Sequence, residues 1–467
     1  MTVSLYDHQT QMNKQCRELM RSGEKYVLMQ GPTGIGKSRM AAAQIEASQA
    51  KGFKSIFIVP RIELVAQMSQ TFNDFDIPHS FVAAGEAYNP YSKTHICTVG
   101  SLLNRLDKVQ PHVVFVDETH YGAAALDKII AYYKARGAFI VGLSATPWKL
   151  SGQGLDRWYG AMVRGPSVAW LIENKYLSDF RPFAFGTPNL SQIKTVAGDY
   201  AKGQLAELME HDSALIGDAV KHYREHCIGR LNITFCTSRK HSEMVAQSFR
   251  DAGIPTMAID GETPKHERRN IIRAFARREL LNLTSVDLMH TGFDLSSAAG
   301  MDVTVESMSD LRPTKSLSLQ LQKWGRVLRK KDFPAMIFDH AGNFKVHGFP
   351  DDDREWSLAG REKASYDADA ESAVLNKQCE VCHFAHRPKP VCPNCGNVYP
   401  IQSREVEERD GDLMEVDREA MRVAQVKEAE KKLAILINVA KSKGYKDPEV
   451  WAARKMTEEM AGRRATR

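Results

Sequence analysis

The chain predicts an α/β fold in two tandem parallel-sheet domains, followed by a small four-cysteine module and a helical tail. Three observations predict it. Two separate blocks alternate short β-branched runs with helical patterns, a glycine-rich turn sits between a strand and a helix, and four cysteines cluster at 379–395. Alternation of this kind builds βαβ units whose sheet is covered on both faces.

In the first block the expected strands are Tyr26–Gln30, Ser55–Val59, His95–Thr98, Val113–Val116 and Phe139–Leu143. The first leads into Gly31-Pro32-Thr33-Gly34-Ile35-Gly36-Lys37-Ser38, a P-loop between strand and helix. Its glycines let successive backbone N–H groups face phosphate oxygens, and the helix N-terminus adds its dipole. Lys37 then reaches the β- and γ-phosphates, while the Ser38 hydroxyl serves Mg²⁺. Val113–Val116 ends in Asp117-Glu118, where such a fold carries an acid that holds Mg²⁺ through water and a second that polarises the attacking water. Ser144-Ala145-Thr146-Pro147, taken alone, reads as a turn.

The pattern lapses over 151–209 and resumes with strands at Asn232–Cys236, Thr256–Ile259, Leu281–Ser285, Val303–Glu306 and Ala335–Phe338. The expected boundaries are 1–180 for the first domain, 181–215 for a connector and 216–350 for the second domain. A linker follows at 351–375, a cysteine module at 376–400 and a helical tail at 401–467, with an amphipathic helix over 413–441.

With 467 residues, 43% hydrophobic and 26% charged, the chain has the composition of ordinary globular domains, not of disordered or collagenous chains. Its apolar runs are strand-sized, which argues against membrane insertion, and Met1 to His8 lack the basic-then-apolar order of a secretory signal. A cytoplasmic address is expected. The formal charge of +6 says little by itself, but Arg312, Lys315, Lys323, Arg326, Arg329, Lys330 and Lys331 fall together without an acid among them. This stretch either meets something anionic or, for Arg312, Lys315 and Lys330, is a solvated basic face. Trp324 within it reads more readily as core than as a base-stacking wedge.

Cys16, Cys97, Cys227 and Cys236 are scattered and read as small buried hydrophobes. Cys379-x2-Cys382 and Cys392-x2-Cys395 form two knuckles whose spacing predicts a closed tetrahedral Zn²⁺ site, with disulfides as the alternative. His383 and His386 could replace a cysteine as ligand but read more readily as surface histidines. Four protein ligands leave no open position, so the module is expected to be a scaffold.

Taken in order, the motifs resemble those of superfamily 2 helicases of the DExH type. Leu5-Tyr6-Asp7-His8-Gln9 is similar to the adenine-reading Q motif, and Gly31 to Ser38 to motif I. Val59-Pro60-Arg61-Ile62-Glu63-Leu64 and Cys97-Thr98-Val99-Gly100-Ser101 are similar to Ia and Ib, Asp117 to His120 to II, and Ser144 to Thr146 to III. Phe235-Cys236-Thr237-Ser238 resembles IV, the stretch from Ser285 to Asp294 resembles V, and Gln322-Lys323-Trp324-Gly325-Arg326-Val327-Leu328-Arg329 resembles VI. A finer similarity is to bacterial RadD-like helicases and their phage-encoded relatives. It rests on Leu311-Arg312-Pro313-Thr314, Phe338 to Asn343 with Val346-His347-Gly348, the cysteine cluster, and the C-terminal Lys443 to Lys446 and Trp451 to Ala453. Thr119 stands where many members have Ala, and motif V lacks a common Thr-Asp pair.

The resemblance implies two RecA-like domains with ATP in the cleft between them. Tyr6, Gln9, Pro32, Thr33, Gly34, Ile35, Gly36, Lys37, Ser38, Gly292 and Asp294 would bind ATP. Arg326 and Arg329 would meet the γ-phosphate, and His120, Ser144, Thr146 and Gln322 would couple hydrolysis to the domain interface. Pro60, Arg61, Thr98, Gly100, Thr237 and Ser238 would contact DNA, mainly at phosphate and sugar. The implied cofactors are ATP, Mg²⁺ and Zn²⁺. The implied partners are single-stranded or branched DNA and a single-strand-binding or recombination protein, with no membrane. The implied activity is an ATP-dependent DNA helicase or translocase for repair, recombination or phage replication. An RNA helicase, or a DNA-stimulated ATPase that remodels DNA without strand separation, remains open as an alternative.

Overall fold

The computed structural model describes residues 4–121, 124–149, 152–185, 188–286, 295–360, 376–399, 433–434, 436–441 and 447–453. The chain divides into two units, 1–400 and 401–467. The first unit carries two parallel sheets.

Sheet one comprises β1 (Tyr26–Gln30), β2 (Ser55–Val59), β3 (Ser80–Val82), β4 (Thr94–Thr98), β5 (Val113–Val116), β6 (Phe139–Ser144) and β7 (Ala161–Arg164), in the order β3-β4-β2-β5-β6-β1-β7. Successive residues feed opposite cores, as strand geometry demands. Val27, Met29, Phe57 and Val59 enter one apolar cluster, whereas Leu28, Ile56 and Ile58 enter the other. Burial on both faces explains the unbroken apolar runs.

Sheet two begins with β8 (Phe180–Ala184). After the small hairpin β9 (Thr195–Val196) and β10 (Asp199–Tyr200), it continues with β11 (Asn232–Phe235), β12 (Thr256–Ile259), β13 (Asn282–Ser285), β14 (Ser307–Asp310) and β15 (Ala335–Asp339). Its order is β12-β13-β11-β14-β15-β8, all parallel.

Three expectations are corrected. The strand anticipated at Val303–Glu306 lies instead at Ser307–Asp310, because an internal polar ladder replaces apolar packing: Ser307 Oγ donates to Asn232 Oδ1 at 2.9 Å, and Asn232 Nδ2 donates to Asn282 Oδ1 at 3.0 Å. The stretch 181–215, read as a connector, contains most of β8, which pairs with β15. The described part of the 351–375 linker is a strap back to the first lobe. Trp356 packs against Trp148 with ring centroids 4.8 Å apart, and Asp156 N donates to Leu358 O at 3.1 Å. Gly154 is required at that crossing, since a Cβ there would lie 2.1 Å from Leu358 O.

The cysteine module, with β16 (Lys377–Gln378) paired to β17 (Ala385–His386), leans on the outer strand of sheet two. Phe384 bridges Phe183 of β8, and Ala184 N donates to His383 O at 3.1 Å. In the second unit 433–434, 436–441 and 447–453 are described, helical except at Asp447; most of the helix expected over 413–441 and the C-terminal Lys443 to Lys446 lie outside the described residues.

Candidate active site between the two lobes

The P-loop follows β1, Asp117-Glu118 follow β5 and Ser144 ends β6, so three neighbouring strands deliver these groups to one edge. Gly34 (φ 92°) and Gly36 (φ 88°) adopt the left-handed backbone that curls the loop, and Gly36 begins the helix Lys37–Ala50. Gln9 braces this curl. Its Nε2 donates to Ile35 O at 2.7 Å while its Oε1 accepts from Tyr6 N at 2.9 Å, and a Cβ on Gly36 would sit 2.4 Å from that Nε2. Gln9, expected to read adenine, thus spends its amide on the loop backbone. At the outer end Tyr6 meets Tyr176 at 4.8 Å, a pair of rings able to stack on a nucleobase. Tyr176 had no sequence signal.

The cleft, about 410 Å³, is lined by Lys37, Ser38, Asp117 and Glu118 from the first lobe and Gln322, Arg326 and Arg329 from the second. Asp117 is pushed up to about 7, by burial first and then by the Glu118 carboxylate, against the pull of Lys37. Glu118 lies in the left-handed region (φ 44°), and its buried Oε2 has no hydrogen-bond partner. A strained residue holding an unsatisfied carboxylate oxygen is poised for an incoming proton donor.

Behind it, His120 Nδ1 is 3.4 Å from Glu118 Oε2 and 2.8 Å from Ser144 Oγ. Burial drives His120 down to about 4, so it is neutral; the nearby Glu118 opposes this and Lys37 adds to it. Gln322 Oε1 accepts from Tyr121 Oη at 2.7 Å, which leaves its Nε2 to donate to His120 Nε2 at 3.1 Å and puts the imidazole proton on Nδ1. Thr146 Oγ1 donates to Ser318 Oγ at 3.0 Å. Hydrogen bonds therefore cross between lobes at the residues expected to couple them. Tyr121 and Ser318 are additions that no local pattern signalled.

Helix Leu317–Val327, capped by Ser316, carries this interface. Gly325 rests on the P-loop so closely that a Cβ would be 2.3 Å from Thr33 Cβ. The basic stretch divides. Arg326 and Arg329 line the cleft, while Lys323 is fully buried, with Nζ donating to both Asp310 oxygens at 2.7 Å. Lys331 Nζ donates to Ser178 Oγ at 3.0 Å, and burial lowers it to about 7. Arg312 is buried; Trp324 is core, stacked on Phe344 at 5.8 Å. The stretch is thus not one anion-binding face.

Pro60, Arg61, Thr98 and Gly100 lie at the ends of β2 and β4, and Thr237 and Ser238 lie beyond β11. Arg61 and Gly100 are exposed. Ser238 is already engaged, capping helix Arg239–Asp251 through His241 N at 3.0 Å and donating to Glu210. Gly292 and Asp294 of motif V lie outside the described residues.

The sulfurs of Cys379, Cys382, Cys392 and Cys395 all lie within 4.8 Å of one another, with Cys379–Cys395 at 3.6 Å and Cys382–Cys392 at 3.7 Å. An ion held tetrahedrally at about 2.3 Å sets its sulfurs about 3.8 Å apart, whereas a disulfide needs about 2.05 Å. This donor set fits a closed tetrahedral site. His386 is buried, not on the surface, and its Nε2 meets Tyr399 Oη at 2.6 Å.

Residues 2–149 match the family model for the type III restriction enzyme res subunit, and 216–331 match the helicase conserved C-terminal domain. A 51.5 kDa protein of a Lactococcus phage is 30% identical over 405 residues, covering 85% of this chain and 83% of that protein. The chain belongs to the superfamily 2 helicases. This superfamily 2 helicase is an ATP-hydrolysing enzyme. A Saccharomyces cerevisiae protein named "Putative ATP-dependent helicase IRC3" is 25% identical over 347 residues, covering 70% of the helicase and 49% of the yeast protein. The helicase thus spans about half of that relative. The restriction-modification enzyme LlaBIII bound to DNA shares its fold at a TM-score of 0.52 and 14% identity, over 72% of this chain and 28% of that one. Among the described residues no helix is long and apolar enough to cross a membrane.

Proposed function

We propose that this helicase is a DNA motor that couples ATP hydrolysis in the interlobe cleft to movement along, or unwinding of, single-stranded or branched DNA in repair, recombination or phage replication. The observation that carries the reading is the division of the site. Lys37, Asp117 and Glu118 stand on one lobe and Arg326 and Arg329 on the other, with His120 and Gln322 bonded across the gap.

In this reading the P-loop amides and Lys37 hold the phosphates, and Tyr6 with Tyr176 flanks the base. Ser38 and Asp117 would hold Mg²⁺, which supplies charge neutralisation at the phosphate oxygens. Glu118 takes the proton of the attacking water, and the arginines meet charge growing on the phosphoryl group, a contribution of about 10³–10⁵ in rate. Loss of the γ-phosphate leaves Arg326 and Arg329 without their anion, so the lobes part. Pro60, Arg61, Thr98, Gly100, Thr237 and Ser238 flank the strand path at the strand ends, the edge where open α/β sheets bind ligands. The four cysteines would hold Zn²⁺ and fix the module against β8. A single-strand-binding or recombination protein is the partner class that fits such a motor.

The test compares ATPase rate and strand separation on single-stranded, duplex and forked DNA and on RNA. Stimulation by DNA, with Glu118→Gln binding ATP but turning over poorly, is expected. Preference for RNA would make this an RNA helicase, and stimulation without strand separation would make it a remodelling ATPase.

A further inference from the structure

At the N-terminal ends of β5 and β6, opposite the P-loop edge, lies a hollow of about 460 Å³. Arg17, Arg21, Lys51 and Arg136 line it, no carboxylate does, and none of the four forms an ion pair with a described residue. Its interior is apolar: Met20, Phe115 and Phe139 line the wall. Phe53 is left 44% exposed at the mouth, edge-on to His112 at 5.3 Å.

Helix C-termini explain part of the charge. Arg21 ends helix Asp7–Arg21 and Arg136 follows helix Ala124–Ala135, where cations offset the dipole. That does not account for an apolar hollow beneath the cations or for a half-exposed phenylalanine beside them. Large aromatic and arginine side chains around a concave site are the composition of a binding hot spot.

We propose that this pocket binds an acidic peptide segment of a partner protein, one bulky apolar side chain entering beside Phe53 and flanking carboxylates meeting Arg17, Arg21, Lys51 and Arg136. Charge complementarity selects an anionic partner, and the apolar interior selects a side chain over a phosphate backbone. The strand path proposed above runs along the opposite edge of the sheet, which also favours a peptide over nucleic acid.

The test is fluorescence anisotropy of a labelled peptide of four aspartates around one phenylalanine, titrated with the full chain. Binding is expected to weaken about tenfold in Arg21→Glu and separately in Lys51→Glu, the equivalent of one lost charge contact. Replacing the peptide phenylalanine with alanine should weaken it about fivefold or more. DNA-stimulated ATPase of both variants should match the wild type, which also certifies their folding. Unchanged affinity in both variants, or no binding by the wild type, overturns the proposal. Loss of single-stranded DNA binding in the variants also overturns it and assigns the pocket to nucleic acid.

Discussion

Replacing Gly325 with alanine should disable the motor without unfolding it. The added methyl would stand 2.3 Å from Thr33 Cβ and 2.4 Å from Thr33 Cγ2. Carbon atoms settle at about 3.5–4.0 Å, so the helix must retreat from the P-loop by more than about 1 Å. No rotamer of Thr33 relieves the clash, because Cβ moves only with the backbone. The same retreat stretches the His120–Gln322, Tyr121–Gln322 and Thr146–Ser318 bonds, now 3.1, 2.7 and 3.0 Å, out of range. Overpacking costs about 1–3 kcal/mol and each lost bond about 1 kcal/mol. A closed cleft disfavoured by at least about 3 kcal/mol turns over at least about a hundredfold more slowly. Helix propensity pulls the other way, but alanine gains only about 0.5–1 kcal/mol over glycine there. The assay is steady-state ATP hydrolysis at saturating ATP and DNA, beside the melting temperature and the affinity for a fluorescent ADP analogue. Turnover should fall while the other two stay near wild type, and Thr33→Gly in the same chain should recover much of it. Wild-type turnover by Gly325→Ala, or no recovery in the double variant, would refute the contact as the gate of closure.

Three further outcomes are expected. His120 is held at about 4 against an ordinary 6.5, so its share of stability is intact above pH 6.5 and lost as pH falls towards 4, on the order of 3 kcal/mol. The difference in urea-unfolding free energy between wild type and His120→Asn should shrink across that window, and a constant difference would contradict a buried neutral imidazole. Lys323→Ala strands Asp310 as an uncompensated buried acid and should cost about 3–5 kcal/mol in the same measurement, whereas a loss below 1 kcal/mol would mean that Gln320 and Asn343 suffice. The purified chain should carry about one zinc ion by elemental analysis, and chelation should unfold the module, whose own apolar core is little more than Tyr399 and Phe384 packed around the cysteines. Full retention of fold and partner strand contacts without metal would make the cysteines structural thiols only.

Much of this architecture was legible because the chemistry is local. A phosphate loop needs its glycines, lysine and serine in consecutive positions, and two knuckles declare themselves by spacing, so Gly31 to Ser38 and Cys379 to Cys395 stand where their pattern placed them. Long-range satisfaction was not legible. β14 is a strand because Asn232, itself bonded to Asn282, hydrogen-bonds both Ser307 and Ser309, partners far away in sequence. The basic stretch failed as a unit because charge counting does not reveal direction: Lys323 turns inward to Asp310 while Arg326, one helical turn along, lines the cleft. Gly325 was visible as a motif residue, but its reason, the Thr33 side chain filling the space a Cβ would need, belongs to another lobe.

In the proposed motor one catalytic site is split between two lobes and nucleic acid drives its closure. The most direct measurement is single-turnover ATP hydrolysis with and without single-stranded DNA in the wild type and in Arg326→Ala. Strong stimulation is expected in the wild type, with a loss of about 10³ or more in the variant and nucleotide affinity retained. Equal rates with and without DNA, or undiminished hydrolysis by Arg326→Ala, would contradict it.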